Sequence, residues 1–219
     1  MTLKKIIQNL VFSNIWIAFG SVGVTVTTFL YSNVTLNYFF LVLVFFATLF
    51  SYNLQNLSER KVHKDRSNQI IWIKSNNKII KFITLIALFF SILFSFFSLN
   101  YFAVFISSPF LLLVIFYRIN FFNKIKFRNI PGLKILIIAI CWTWACCLLP
   151  QILYSTNIDW TLACFIFLYI ILITIPFDIR DLEYDEKIKT IPQQIGARNA
   201  LFSSFFLIII LFLLFVYLA

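Results

Sequence analysis

The chain has 219 residues, of which 62% are hydrophobic and 12% are charged, and its mean hydropathy is +0.95. Soluble domains carry about 25% charged residues, so this composition excludes an ordinary soluble domain. It predicts an all-α, polytopic transmembrane helical bundle. A net charge of +10 would be compatible with nucleic-acid binding. Because membrane proteins retain basic residues on their cytoplasmic side, we expect membrane lipid and not nucleic acid as the partner.

Seven apolar runs predict about seven helices within a single transmembrane domain, residues 1–219. Pro109 in the fourth run predicts a kink. Pro176 is expected to end the sixth, because proline cannot continue the helical hydrogen-bond ladder. The predicted helices cover roughly residues 6–31, 36–52, 79–99, 101–117, 131–150, 158–175 and 199–218.

The basic residues predict the orientation of these helices. All 18 Lys and Arg residues fall near the N-terminus or around the stretches after the second, fourth and sixth predicted helices. By the positive-inside rule, these regions are cytoplasmic. We therefore expect an integral membrane protein, in a bacterial inner membrane, with a cytoplasmic N-terminus and an outside C-terminus. The longer loops lie on the cytoplasmic side, where we expect any functional site.

Most of the acidic residues are concentrated in one hydrophilic stretch, residues 177–187, which holds five of the eight carboxylates of the chain. Asp178, Asp181 and Asp185 are spaced i, i+3, i+7, which puts them on one face if the segment is helical. Mg²⁺ prefers one or two carboxylates together with substrate phosphates, so this row suits a diphosphate bridged by Mg²⁺. The alternative is a solvated loop whose acids balance neighbouring basic residues.

Basic residues in the other cytoplasmic loops are candidates for direct phosphate contact. Arg offers a planar fork of donors to phosphate, and Lys offers a point charge. The candidates are Arg60, Lys61, Arg118, Lys124, Lys126 and Arg128.

The acidic stretch resembles a known family motif. Residues 178–185 read DIRDLEYD, and Thr190, Ile191, Pro192 and then Gly196 follow. This pattern is similar to the second aspartate-rich motif of the UbiA superfamily of intramembrane prenyltransferases. In that family a DxxxD, a TLP-like tripeptide and a glycine connect the sixth and seventh helices.

The resemblance implies a UbiA-like fold with a transferase activity. Such enzymes move an isoprenoid chain from a prenyl diphosphate to a lipophilic acceptor, often an aromatic ring. Their cofactor is Mg²⁺, which aspartate-rich motifs hold at the diphosphate. The implied metal ligands here are Asp178, Asp181 and Asp185. Arg60, Lys61, Arg118 and Lys124 would contact the diphosphate.

The chain departs from the family at the first aspartate-rich motif, which should fall near residues 52–61. Asn53 and Asn56 can take the early positions as diphosphate-binding residues, but no aspartate is present, and the last position falls on Arg60 or Lys61. The family also has about nine helices, whereas about seven are predicted here.

Two hypotheses about function follow. The first is a divergent prenyltransferase in which Arg60 and Lys61 replace a second metal at the diphosphate. The alternative is a catalytically inactive UbiA-like membrane protein that acts as a lipid-binding scaffold or partner subunit. The degenerate first motif motivates the alternative.

Overall fold

The computed structural model describes residues 3–59, 68–116, 132–180, 182 and 191–218. Every regular element in these ranges is helical, as the composition predicts. The helices are α1 (Leu3–Phe12), α2 (Ile15–Tyr31), α3 (Tyr38–Glu59), α4 (Asn68–Ser75), α5 (Asn77–Ser98), α6 (Tyr101–Phe116), α7 (Leu133–Thr143), a π-helical turn (Trp144–Leu148), α8 (Leu149–Tyr154), α9 (Trp160–Arg180), α10 (Ile191–Ile195) and α11 (Ala197–Leu218).

Five helical segments among the described residues are long and apolar enough to cross a membrane, and the pair α1–α2 makes a sixth if it counts as one span. These segments make the chain an integral membrane protein. The apolar part of α6, Tyr101–Val114, is shorter than a full crossing. Seven spans therefore remain a prediction.

The chain divides into two compact units, Met1–Phe105 and Ile106–Ala219. In the first unit, α2, α3 and α5 meet at a core of Ala18, Leu49 and Ala87. Small residues at such contacts let apolar helices approach closely. Phenyl rings fill the space beside them, as where Phe46 stacks on Phe90 with ring centroids 4.9 Å apart.

The first predicted helix is broken near its start, where α1 and α2 meet at an angle of 67°. Asn14 lies at the break with φ of 62°, in the left-handed region that asparagine tolerates better than most residues. The last turn of α1 is closed locally. The amides of Ser13 and Asn14 donate to the carbonyls of Asn9 and Val11 at 3.0 and 3.2 Å.

The second unit is organised around the face that α9 shares with α7 and α11. Its core is Ile135, Ile175 and Ala200. Ile171 and Ile179 extend this core along α9 at four-residue spacing, so one face of α9 is buried almost to its end. The π turn lies after α7, where Trp144 stacks on Phe110 with ring centroids 4.2 Å apart.

Helix α9 does not stop where the sequence predicts. It passes through Pro176 and ends at Arg180. Proline at this position removes one hydrogen bond of the helical ladder, but the packing of Ile175 and Ile179 continues on both sides of it. The last turn of α9 therefore carries Asp178 on a helix and not in a loop.

The short α10 and the residue after it turn the chain into α11. Gly196 has φ of +85°, and its carbonyl accepts from the amide of Ala200 at 3.0 Å. Non-glycine residues avoid this backbone region. The glycine that follows the acidic motif is therefore required by backbone conformation.

Replacing this glycine tests that requirement. Gly196→Ala should lower the free energy of unfolding by about 1–2 kcal/mol, the cost of a left-handed residue with a side chain. A Cβ at this position meets nothing within 4 Å, so no steric clash adds to the cost. Unfolding in a denaturing detergent series measures it. Gly23→Ala is the matched control, since Gly23 lies within α2 without a positive φ. Equal stability of both variants would contradict the prediction.

Candidate functional site

The structure describes three of the residues that the sequence assigns to a site. Asp178 lies in the last turn of α9, and Asn53 and Asn56 lie in the second half of α3. Helix α3 extends past the predicted end at Tyr52 to Glu59, so both asparagines are helical. The other candidates lie outside the described residues: Asp181, Asp185, Arg60, Lys61, Arg118, Lys124, Lys126 and Arg128.

Asp178 is buried, with 1% of its side chain exposed, and its Oδ1 accepts a hydrogen bond from Lys134 Nζ at 2.6 Å. Lys134 lies in the first turn of α7, and 18% of its side chain is exposed. The bond is short even for a charge-assisted pair. It joins the start of α7 to the end of α9 within the second unit.

This ion pair compensates the charge of a buried carboxylate. The buried face of α9 carries Ile171, Ile175 and Ile179, and Asp178 lies among the buried residues of the same helix. An isolated carboxylate at such a place is strongly disfavoured. The ammonium group of Lys134 supplies the compensating charge, so the first residue of the acidic row is held at a defined point.

The pair was not predicted from the sequence, although a signal was present. Lys134 and Asp178 each stand at the edge of an apolar run, and ionisable groups in membrane helices are usually paired with one another. The two residues are 44 positions apart. The pattern of either run alone gives no indication that they meet.

A second polar contact lies in the first unit, at the break between α1 and α2. Asn14 Nδ2 donates to Asn53 Oδ1 at 2.9 Å, and both side chains are buried. Nearby on α1, Asn9 Oδ1 accepts from Trp72 Nε1 at 3.1 Å. The sequence singles out Asn53 but gives Asn14 no role in a site.

Two amide nitrogens of the first unit have no partner among the described residues. They are Asn53 Nδ2 and Asn56 Nδ2, and both atoms are buried. The two residues are spaced i, i+3 on α3 and share one face. This face therefore offers hydrogen-bond donors, which an anion or a carbonyl oxygen would accept.

The two units differ in their suitability for a divalent cation. In the second unit, Asp178 is the first of the carboxylates in the acidic stretch of the sequence, and carboxylate oxygens are the ligands that Mg²⁺ prefers. In the first unit, the buried polar atoms of Asn53 and Asn56 belong to neutral amides, which bind Mg²⁺ less strongly than carboxylates do. Among the described residues, no group of three or more His, Cys, Asp or Glu side chains converges.

The structure is similar to solved structures of UbiA homologues. One is a UbiA homologue from Archaeoglobus fulgidus bound to GPP and Mg²⁺, with a TM-score of 0.67 and 16% sequence identity over 96% of this chain and 77% of that chain. A UbiA homologue from the same organism bound to DMAPP and Mg²⁺ gives a TM-score of 0.66 at the same identity and coverage. No protein-family model and no curated protein sequence matches the chain. The fold is UbiA-like, as the motif implies.

Breaking the ion pair tests its contribution to the fold. Lys134→Met leaves a buried carboxylate without its ammonium partner and should cost about 3–5 kcal/mol of stability. Lys134→Met/Asp178→Leu should recover most of this loss, because no buried charge remains. Unfolding of the purified protein in detergent measures both values.

The control is Lys78→Met, which removes an exposed lysine and should change stability by less than about 1 kcal/mol. If the Lys134→Met variant and the wild type have the same free energy of unfolding, the ion pair does not stabilise the second unit.

Proposed function

We propose that the protein is a Mg²⁺-assisted, UbiA-like prenyltransferase. It transfers an isoprenoid chain from a prenyl diphosphate to an aromatic or other lipophilic acceptor. The observation that carries the proposal is the buried Asp178 in the last turn of α9, at the head of a carboxylate row, in a fold shared with structures bound to GPP or DMAPP and Mg²⁺.

The metal-binding residues that we propose are Asp178, Asp181 and Asp185. The ion pair with Lys134 holds Asp178 in place at the end of α9. When bound, Mg²⁺ would neutralise the charge that develops on the departing diphosphate.

Cationic and amide groups complete the proposed diphosphate contacts. Arginine and lysine hydrogen bonds to phosphate are charge-assisted and stronger than neutral ones. They stabilise the leaving group where its charge develops. The residues that we propose for this task are Asn53, Asn56, Arg60, Lys61, Arg118 and Lys124.

The apolar composition of the helices supports the remaining part of the reaction. Loss of diphosphate leaves an allylic cation, which water would trap. A bundle with 62% hydrophobic residues excludes water, and aromatic faces attract cations. The lipophilic acceptor would reach such a site from the bilayer.

The proposed orientation places this chemistry at the cytoplasmic face of a bacterial inner membrane. The N-terminus would be cytoplasmic and the C-terminus outside, because all basic residues fall in or beside the proposed cytoplasmic loops. The acidic segment after α9 would then meet water-soluble Mg²⁺ while the isoprenoid chain remains in the membrane.

Binding of geranyl diphosphate (GPP) tests the proposal directly. Purified protein in lipid nanodiscs should bind GPP with Mg²⁺ dependence. Asp181→Asn should weaken this binding by about tenfold or more, since it removes a charged ligand of the metal. Isothermal titration with and without Mg²⁺ measures the difference.

The matched control is Asp159→Asn. Asp159 Oδ1 accepts from the amides of Thr161 and Leu162 at the start of α9, and asparagine caps a helix about as well as aspartate. This variant should bind GPP like the wild type. An absence of GPP binding in Mg²⁺, or equal affinities of Asp181→Asn and wild type, would instead favour a scaffold or partner subunit.

A further inference from the structure

Helix α1 has an apolar face that the rest of the first unit does not cover. Several of its residues are large, apolar and exposed: Leu3, Ile6, Ile7, Leu10 and Val11. Their spacing puts them on one side of the helix. The other side packs on α4, where Phe12 meets Trp72 with ring centroids 5.9 Å apart and Asn9 Oδ1 accepts from Trp72 Nε1 at 3.1 Å. The first unit therefore holds α1 by one face and leaves the apolar face to its surroundings.

The direction of α1 indicates what those surroundings are. Helix α2 has 17 residues, which is within the range of about 17–25 residues that crosses a bilayer. The crossing therefore does not require α1. The two helices meet at an angle of 67°. When α2 crosses the membrane, α1 lies closer to the membrane plane than to its normal.

Trp16 marks the depth of this bend. It is the second residue of α2, and 68% of it is exposed. Tryptophan is enriched at the boundary between acyl chains and water, because its ring is apolar and its N–H group is polar. An exposed tryptophan directly after the break indicates that the break, and α1 with it, lies at this interface.

Exposed lysines lie at the start of a second lipid-facing surface, on α5. Lys78, Lys81, Phe82 and Leu85 are spaced i, i+3, i+4 and i+7, so they share one face of the helix. All of them are exposed, Phe82 by 64% and Leu85 by 65%. The two lysines therefore stand where the apolar stripe of α5 begins, at the level of the lipid headgroups.

Helix α4 connects the start of α5 to α1. Asn76, between α4 and α5, donates from its backbone amide and from Nδ2 to the carbonyl of Trp72 at 2.9 and 3.0 Å. The carbonyl of Asn76 accepts from the amide of Ile80 at 3.0 Å. Because Trp72 also contacts α1, this residue joins both helices. The exposed Lys5 on the polar side of α1 belongs to the same connected surface.

The charge of this surface selects one kind of lipid. Within residues 1–105, the acidic residues of the sequence are Glu59 and Asp65, and lysines and arginines outnumber them. Basic residues at a membrane surface attract anionic headgroups, and the apolar face of an amphipathic helix enters between acyl chains. A zwitterionic headgroup such as that of phosphatidylcholine has no net charge to attract.

We propose that α1 lies in the membrane interface and that Lys5, Lys78 and Lys81, here called the lysine rim, bind the headgroup of an anionic phospholipid. The apolar face of α1 contacts the acyl chains of the same leaflet. This assigns a lipid partner to the first unit and does not depend on prenyl transfer.

Binding of phosphatidylglycerol tests the lysine rim. The full chain in a neutral maltoside detergent is titrated with phosphatidylglycerol or phosphatidylcholine, and native mass spectrometry measures the Kd of the first lipid bound. Wild type should bind phosphatidylglycerol about tenfold more tightly, because each lysine adds an attraction to the negative headgroup. Lys78→Gln/Lys81→Gln should weaken this binding by about tenfold and leave phosphatidylcholine binding unchanged. Equal affinities of the wild type for both lipids would overturn the proposal.

The matched control is Lys78→Arg/Lys81→Arg, which keeps both charges at the same exposed positions. Its affinity for phosphatidylglycerol should stay within about twofold of the wild type, since arginine retains the positive charge. If the glutamine and arginine variants bind phosphatidylglycerol equally well, the lysines do not bind the headgroup and the proposal fails.

Hydrogen exchange tests the position of α1 separately. In nanodiscs, the amides of Leu3–Phe12 should exchange about threefold more slowly in phosphatidylglycerol than in phosphatidylcholine, because binding to the lipid opposes local opening. Lys5→Gln should remove most of this difference, and Lys5→Arg should keep it. Equal exchange rates of wild type in the two lipids would overturn the interfacial position of α1.

A soluble phosphate compound is the other possible source of a negative phosphate group. Glycerol 1-phosphate carries this charge without acyl chains. At the same concentration it should not displace phosphatidylglycerol, because it makes no apolar contact with α1. Displacement as strong as that by phosphatidylglycerol itself would overturn the assignment to a lipid.

Discussion

An apolar membrane interior offers no hydrogen bonds, so each polar group on these helices needs a partner within the protein. Small hydroxyl groups meet this requirement locally. Thr174 Oγ1, for example, donates to the carbonyl of Ile170 at 2.6 Å. Asparagine, aspartate and lysine reach further and can pair between helices. Two such pairs occur among the described helices, Asn14–Asn53 and Lys134–Asp178. Each pair fixes a residue that the proposed chemistry would use.

The two contacts produce opposite chemical surfaces. In the second unit, the ammonium group of Lys134 compensates the charge of the buried Asp178. In the first unit, Asn53 Oδ1 accepts a hydrogen bond from Asn14 Nδ2. The Nδ2 atoms of Asn53 and Asn56 have no partner among the described residues.

Much of the fold follows from the spacing of apolar runs, because a helix must be apolar over about twenty residues to cross a bilayer. The errors have specific causes. Asn53 and Asn56 resemble a loop in composition, yet α3 continues through them, and Asn53 Oδ1 accepts from Asn14 Nδ2. Pro176 looks like a helix end, yet packing on either side maintains α9. The motif identifies Asp178, but Lys134 is joined to it only by tertiary structure. Sequence patterns describe one helix at a time and do not show such pairs.

The central claim is that the carboxylates from Asp178 onward hold one metal ion that binds a diphosphate. Electron paramagnetic resonance with Mn²⁺ in place of Mg²⁺ tests it most directly, because coupled and isolated Mn²⁺ ions give different spectra. With pyrophosphate present, the account predicts one isolated Mn²⁺ per chain with hyperfine coupling to ³¹P. A spin-coupled pair of Mn²⁺ ions, or an isolated ion without phosphorus coupling, would contradict it.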